Sequence, residues 1–166
     1  MADLSKSQCP MKRIVILLLA LLPVTASAQK FNTEGGVSWS CVYETDMTQD
    51  DIYKQVLAYG FIEDAIIYEN MIVGNITPVS LDYAGAGYSR MKVPLYLSNG
   101  QFSGRYVMQF KEGKYRVDVY NMYFFDSTGR TSFNSCAGEF GFDIATKIIG
   151  DYLNNNSQFQ KWSDEW

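Results

Sequence analysis

The sequence predicts an α+β fold: one antiparallel sheet with two helices packed on a single face, in the order β-α-β-β-β-β-α. Three observations carry that reading. Nearly everything from residue 65 to 125 has the alternating, β-branched and aromatic character of strands. Asn99-Gly100 and Lys111-Glu112-Gly113 break that stretch with hairpin-type turns. Apolar stripes of helical spacing flank it on either side.

The elements follow in order. Val37, Trp39, Cys41 and Tyr43 alternate on one face of a first strand. Thr48 then serves as an N-cap, with Asp50 and Asp51 in the first turn of a helix. Ile52, Tyr53, Val56 and Leu57 form its apolar stripe, and it ends near Gly60. Ala65–Tyr68 and Met71–Leu81 read as strand, with Pro78 marking an edge or a bulge. Tyr83–Tyr88 is a loop. A meander of three strands follows: Arg90–Leu97, Gln101–Phe110 and Lys114–Phe125. Asp126–Arg130 is a turn. A second helix starts near Asp143 with Ile144, Ile148, Ile149, Tyr152 and Leu153 on one side, and Asn154-Asn155-Asn156 stops it.

Alternation assigns the faces of the meander. Met91, Val93, Leu95, Leu97, Tyr106, Met108, Phe110, Tyr115, Val117 and Val119 point to the core. Arg90, Lys92, Tyr96, Arg105, Gln109, Arg116, Asp118 and Tyr120 point away from it. A slip of one residue would exchange the two sets.

Residues 1–28 have the grammar of a secretory signal. Met11-Lys12-Arg13 is the basic start, Ile14–Leu22 the apolar run, and Ala26-Ser27-Ala28 the small-residue site before Gln29. The run is far shorter than the roughly 20 apolar residues of a membrane span, so no span is expected in the mature chain. Cys9 precedes the run, the wrong side for a lipoprotein cysteine. The expected organisation is a signal over 1–28, one domain over 29–155 and a tail over 156–166. The expected location is exported, either periplasmic or extracellular. The remaining 138 residues suffice for one core. Of the three cysteines, Cys41 and Cys136 stay in the mature chain, where an oxidising compartment offers them a disulfide; two free, buried thiols are the alternative.

The chain contains no histidine, which removes His-dependent triads, His general bases and His-ligated zinc. The mature chain carries 11 basic and 17 acidic residues, a net charge of −6, the wrong sign for a nucleic-acid binder. Ser89-Arg90-Met91-Lys92 matches S-x-x-K but opens a strand and lacks the partner motifs of penicillin-binding enzymes. Gly85-Ala86-Gly87 lacks the third glycine and the helix of a dinucleotide loop. Asp46, Asp50 and Asp51 do not have EF-hand spacing, and acids at a helix start have an electrostatic reason to be there. No catalytic residue, metal site or cofactor is expected.

The helix opening Thr48-Gln49-Asp50-Asp51-Ile52-Tyr53, the strand Met71-Ile72-Val73-Gly74 and the stretch from Val107 to Val119, with Lys111-Glu112-Gly113-Lys114-Tyr115-Arg116 inside it, form a recognisable set. Together they resemble the exported domain-of-unknown-function family DUF4468, found mainly in Bacteroidetes. The resemblance covers roughly residues 37–125 and implies a TBP-like architecture, a curved antiparallel sheet backed by helices. It implies no activity, because a fold is not a function.

One charge feature stands out. Residues 90–116 hold Arg90, Lys92, Arg105, Lys111, Lys114 and Arg116 against the single acid Glu112. Four of these cations fall on the outward face, beside Tyr96 and Tyr120. Arg90, Lys92, Tyr96, Arg105, Arg116 and Tyr120 therefore form the candidate ligand face, with guanidinium groups forking onto oxygens and tyrosines stacking on sugar rings. The expected function is a non-catalytic exported domain that binds an envelope protein or an anionic or glycan ligand. Two alternatives are a small carboxylate-dependent hydrolase and an assembly module acting by strand addition at a sheet edge.

Overall fold

The computed structural model describes residues 29–159. The predicted signal over 1–28 and the end of the predicted tail lie outside the described residues. Seven strands form one curved, unclosed antiparallel sheet: β1 (Lys30–Asn32), β2 (Ser38–Glu44), β3 (Ile62–Tyr68), β4 (Met71–Ile76), β5 (Gln101–Lys111), β6 (Lys114–Asp126) and β7 (Gly129–Ser132). Their order is β1-β2-β6-β5-β4-β3, with β7 paired to β6 beside that path. The helices are α1 (Gln49–Ala58), the short α2 (Leu95–Asn99), a 3₁₀ turn (Phe133–Cys136) and α3 (Phe142–Ser157).

The helices share one face of the sheet. Trp39, Cys41, Tyr43, Ile72, Tyr106, Met108, Tyr115, Val117 and Val119 meet Ile52, Val56, Ala145, Ile148, Ile149 and Leu153 in a single core. The α+β class and the predicted inward face of β5 and β6 are therefore observed. Thr48 caps α1 as expected: its Oγ1 accepts the Asp51 N–H at 3.2 Å and donates to Asp51 Oδ2 at 2.7 Å. Leu57 departs from the expected stripe, being half-exposed while Gln55 is buried.

Two expectations fail locally. Arg90–Leu97 is not a strand. Its first part turns, with the Lys92 N–H donating to the Ser89 carbonyl, and α2 begins at Leu95 behind Pro94. Asn99-Gly100 makes no hairpin, because Gly100 is extended (φ −99°, ψ 160°) where a two-residue hairpin needs positive φ. The dipeptide instead ends α2 and feeds directly into β5. As a result Met91 and Leu95, expected in the core, are largely exposed, while Val93 and Leu97 are buried. The second failure is at the C-terminal end, where α3 runs past the three asparagines to Ser157.

Three sheet tyrosines explain that extension. Tyr43 Oη donates to Asn154 Oδ1 at 2.9 Å, and Tyr115 Oη donates to the Ser157 carbonyl at 2.9 Å while accepting the Phe159 N–H at 3.1 Å. Tyr106 Oη lies 3.5 Å from Ser157 Oγ. Burial pushes all three phenols above their ordinary range, Tyr115 to about 12. A phenol that ionises less readily in the folded state stabilises the fold fully below about pH 10 and progressively less above it. Unfolding monitored between neutral pH and pH 12 is therefore expected to show the tyrosine contribution intact up to about pH 10 and falling from there towards pH 12.

The sheet carries two bulges of one design. In β6, Asn121 and Met122 oppose the single Gly104; in β3, Asp64 and Ala65 oppose the single Gly74. The first bulged residue is left-handed in each case, with φ 51° at Asn121 and φ 52° at Asp64. A Cβ on Gly74 would collide with Ile62 Cγ2 and sit 3.1 Å from the Glu63 carbonyl; one on Gly104 would lie 3.2 Å from both Met122 and Val119 side chains. Gly74→Ala is expected to lower the unfolding free energy by about 1–3 kcal/mol through that overlap. Asn121→Ile should cost about 1–2 kcal/mol by placing a β-branched residue at positive φ. Urea titration of each variant measures both.

Candidate functional site

The sheet face turned away from the helices is where the predicted cations can gather. Register defines its rows. Asn75, Arg105 and Tyr120 lie side by side across β4, β5 and β6. Next come Val73, Val107, Asp118 and Ser40, then Met71, Gln109, Arg116 and Val42. Lys111 and Lys114 close the β5–β6 hairpin, paired with each other.

Arg116 is the fixed point of this face. Its Nε donates to Asp118 Oδ2 at 2.8 Å and its Nη2 to Gln109 Oε1 at 2.6 Å. The guanidinium therefore lies across β5 and β6, bracketed by a carboxylate and a carboxamide, yet remains half-exposed. Arg105 Nη1 donates to Asn75 Oδ1 at 3.3 Å. Among the described residues, Arg116–Asp118 is the sole ion pair.

Two clefts adjoin at Arg116. The first, about 510 Å³, is lined by Glu34, Ser38, Ser40, Arg116, Asp118 and Tyr120, with the β1–β2 turn as one wall. Asn134 ties that turn to the 3₁₀ segment by accepting the Val37 N–H at 2.7 Å. The second cleft, about 390 Å³, is lined by Val42, Gln109, Lys111, Lys114, Tyr115 and Arg116. It has three cationic groups in its walls and no carboxylate. A third hollow of about 370 Å³ lies beyond the hairpin tip and shares both lysines.

The six predicted ligand-face residues divide. Arg105, Arg116 and Tyr120 occupy the outer face as expected. Arg90, Lys92 and Tyr96 do not, because the segment carrying them turns and becomes α2. Arg90 Nη2 donates at 3.1 Å to Oδ1 of Asn99, the last residue of α2. Tyr96 packs into the helical layer, 5.0 Å from Phe124 and 6.2 Å from Phe133 between ring centroids. Its hydroxyl is buried within that layer. Lys111 and Lys114, counted in the basic segment but not among the six, are the cations that line the second cleft. The wall from Glu34 to Ser40 had no sequence signal, since only pairing of β2 with β6 brings it there.

Cys41 and Cys136 are both free and buried, so the offered disulfide is not formed. Cys41 is paired with Val117 in the middle of the sheet. Cys136 belongs to the segment that Asn134 fastens to Val37, at the start of β2. Val37 lies four strand steps from Cys41, about 13 Å along the chain.

Among the described residues, no group of three or more His, Cys, Asp or Glu side chains converges on a metal-sized space. Glu34 and Asp118 share the first cleft, but Asp118 is held by Arg116 and Glu34 is exposed on a turn. Neither has the apolar, like-charged surroundings that separate the roles of two catalytic carboxyls. No described helix is long and apolar enough to cross a membrane.

No family model matches the sequence, and no curated protein is similar to it. Among solved structures the chain is similar to a DUF4468 family protein from Bacteroides ovatus. Identity is 15%, covering 80% of this chain and 86% of the other, with a TM-score of 0.40. A likeness at this level assigns this chain neither family, activity nor ligand.

The Arg116–Asp118 pair is exposed enough that its loss should matter little to folding. Asp118→Asn is expected to change the unfolding free energy by no more than about 1 kcal/mol, read by urea titration at neutral pH.

Proposed function

We propose that the chain is an exported, non-catalytic domain that binds an acidic glycan of the cell envelope on the outer face of its sheet. The observation that carries this reading is the pair of clefts meeting at Arg116. The second supplies Lys111, Lys114 and Arg116 with no acid in its walls, a setting for carboxylate, sulfate or phosphate oxygens. The first supplies Ser38, Ser40, Asp118 and the partly exposed ring of Tyr120, a setting for sugar hydroxyls and a ring face. Solubility alone would account for scattered surface cations. It does not account for three of them converging on one cleft of a chain that is acidic overall.

A second reading has one observation behind it. β3 is an outer strand of the sheet, and its last residues Ile66, Ile67 and Tyr68 are about half-exposed. The bulge and the acids Glu63 and Asp64 shield its first half. The flat apolar second half offers an edge to a partner strand in the envelope.

Titration calorimetry with an oligouronate and a neutral oligosaccharide of equal length tests the first reading. The oligouronate should bind, more weakly as salt rises. Lys111→Ala combined with Lys114→Ala should weaken it at least tenfold, about 1.4 kcal/mol, and Arg90→Ala should leave it unchanged. Equal binding of the neutral sugar, or indifference to the lysine pair, would sink the proposal.

A further inference from the structure

Trp39 is completely buried, and its indole N–H has no hydrogen-bond partner. A buried donor left unmet is uncommon enough to call for an explanation. Trp39 sits on the inner face of β2, paired with Phe31 of β1 and packed against Gly150 of α3. A Cβ at Gly150 would lie 3.2 Å from Phe31 Cε2, 3.4 Å from Gln29 Oε1 and 3.8 Å from Trp39 Nε1. The Gln29 carbonyl oxygen and the unpartnered indole nitrogen thus converge on one point of α3. Gln29 lies just before β1, and its carboxamide reaches the same glycine that Phe31 approaches. The residue itself is exposed.

Gln29 is also the residue that follows Ala26-Ser27-Ala28. Cleavage there gives it a free α-amine, one five-membered ring away from its own carboxamide carbon. We propose that Gln29 is modified to pyroglutamate after export and that the lactam carbonyl accepts the Trp39 indole N–H. The ring closes when the α-amine nitrogen bonds to Cδ. The Cδ–Nε2 bond breaks, an amine proton moves to the departing nitrogen, and ammonia leaves. No oxidant, reductant or further reactant enters, and holding both groups in one residue supplies the proximity.

The product suits its surroundings better than the open form. Cyclisation replaces a charged α-ammonium and a primary carboxamide with a neutral lactam that keeps its carbonyl acceptor at the Gly150 side of the chain. The ring also removes the side-chain torsions of glutamine, so the acceptor is held near the indole with less freedom to lose.

The inference rests on the export reading, and the two can fail separately. The full chain is expressed in its exporting cell, the envelope fraction is quenched in acid, and the intact mass is measured. A chain beginning at residue 29 and lighter by one ammonia supports the proposal. The same chain at full mass overturns the cyclisation while leaving export intact. An uncleaved chain, or one starting elsewhere, overturns both. The contact with Trp39 has its own readout in deuterium exchange of the indole N–H. Exchange should be at least tenfold slower in the cyclised protein than in Gln29→Ala, and equal rates would overturn the contact.

Discussion

The constraint on which the structure depends is the parity of β6. This strand has 13 residues and pairs with β2, β5 and β7, so every other part of the sheet is hung from it. A strand of period two cannot present Tyr115, Val117 and Val119 together with Met122 and Phe124 to one core, since the second group has the opposite parity. The bulge at Asn121 resolves this. One extra residue changes the phase, and all five side chains are buried on the helix side. Without it, Tyr123 and Phe125 would turn inward, and the packing of Phe124 on Phe102, Tyr96 and Phe133 would be lost. Gly104 makes the phase change sterically possible. Gly74 does the same for β3, where Ile62 and Ile72 remain core residues on either side of the second bulge.

Much of this was legible in the residues. The β5–β6 hairpin shows a clean alternation and a two-residue Glu112-Gly113 turn, and its inward and outward sets came out as read. The Thr48 cap and the α3 stripe were equally plain, because capping and helical periodicity are local. The failures share a cause. Arg90–Leu97 alternates in hydrophobicity, but Pro94 in its middle cannot donate to a ladder, and that should have demoted the segment. Once it turns into α2, Asn99-Gly100 loses its meaning as a hairpin, since the same dipeptide also suits a helix end. β1 and β7, at 3 and 4 residues, are too short for periodicity to announce them. The asparagine triplet was read as a stop because its partners are tyrosines far away in sequence.

The site follows the same division. Arg105, Arg116 and Tyr120 were placed on the outer face by alternation within one hairpin, whereas Arg90, Lys92 and Tyr96 depended on a strand that does not exist. The first cleft could not be read at all. Its walls come from the β1–β2 turn and from β6, which meet only through the pairing of Trp39 with Val119 and its neighbours. Charge counting located the basic segment, and the fold decided which of its members face one another.

The bracket around Arg116 has a consequence for discrimination. Gln109 and Asp118 fix the guanidinium plane before any ligand arrives, so little side-chain freedom remains to be lost there, and the direction from which oxygens can approach is already set. Lys111 and Lys114 are exposed at the hairpin end, with long flexible stems and ammonium groups that accept charge from any side. One cleft therefore joins a fixed cationic group to two adaptable ones. For an acidic ligand of the proposed kind, geometry would be judged at Arg116, while the lysines would answer to charge alone. If the proposed ligand is bound there, changing the lysines would alter how tightly an anion is held, and changing the bracket would alter which anion shape is preferred.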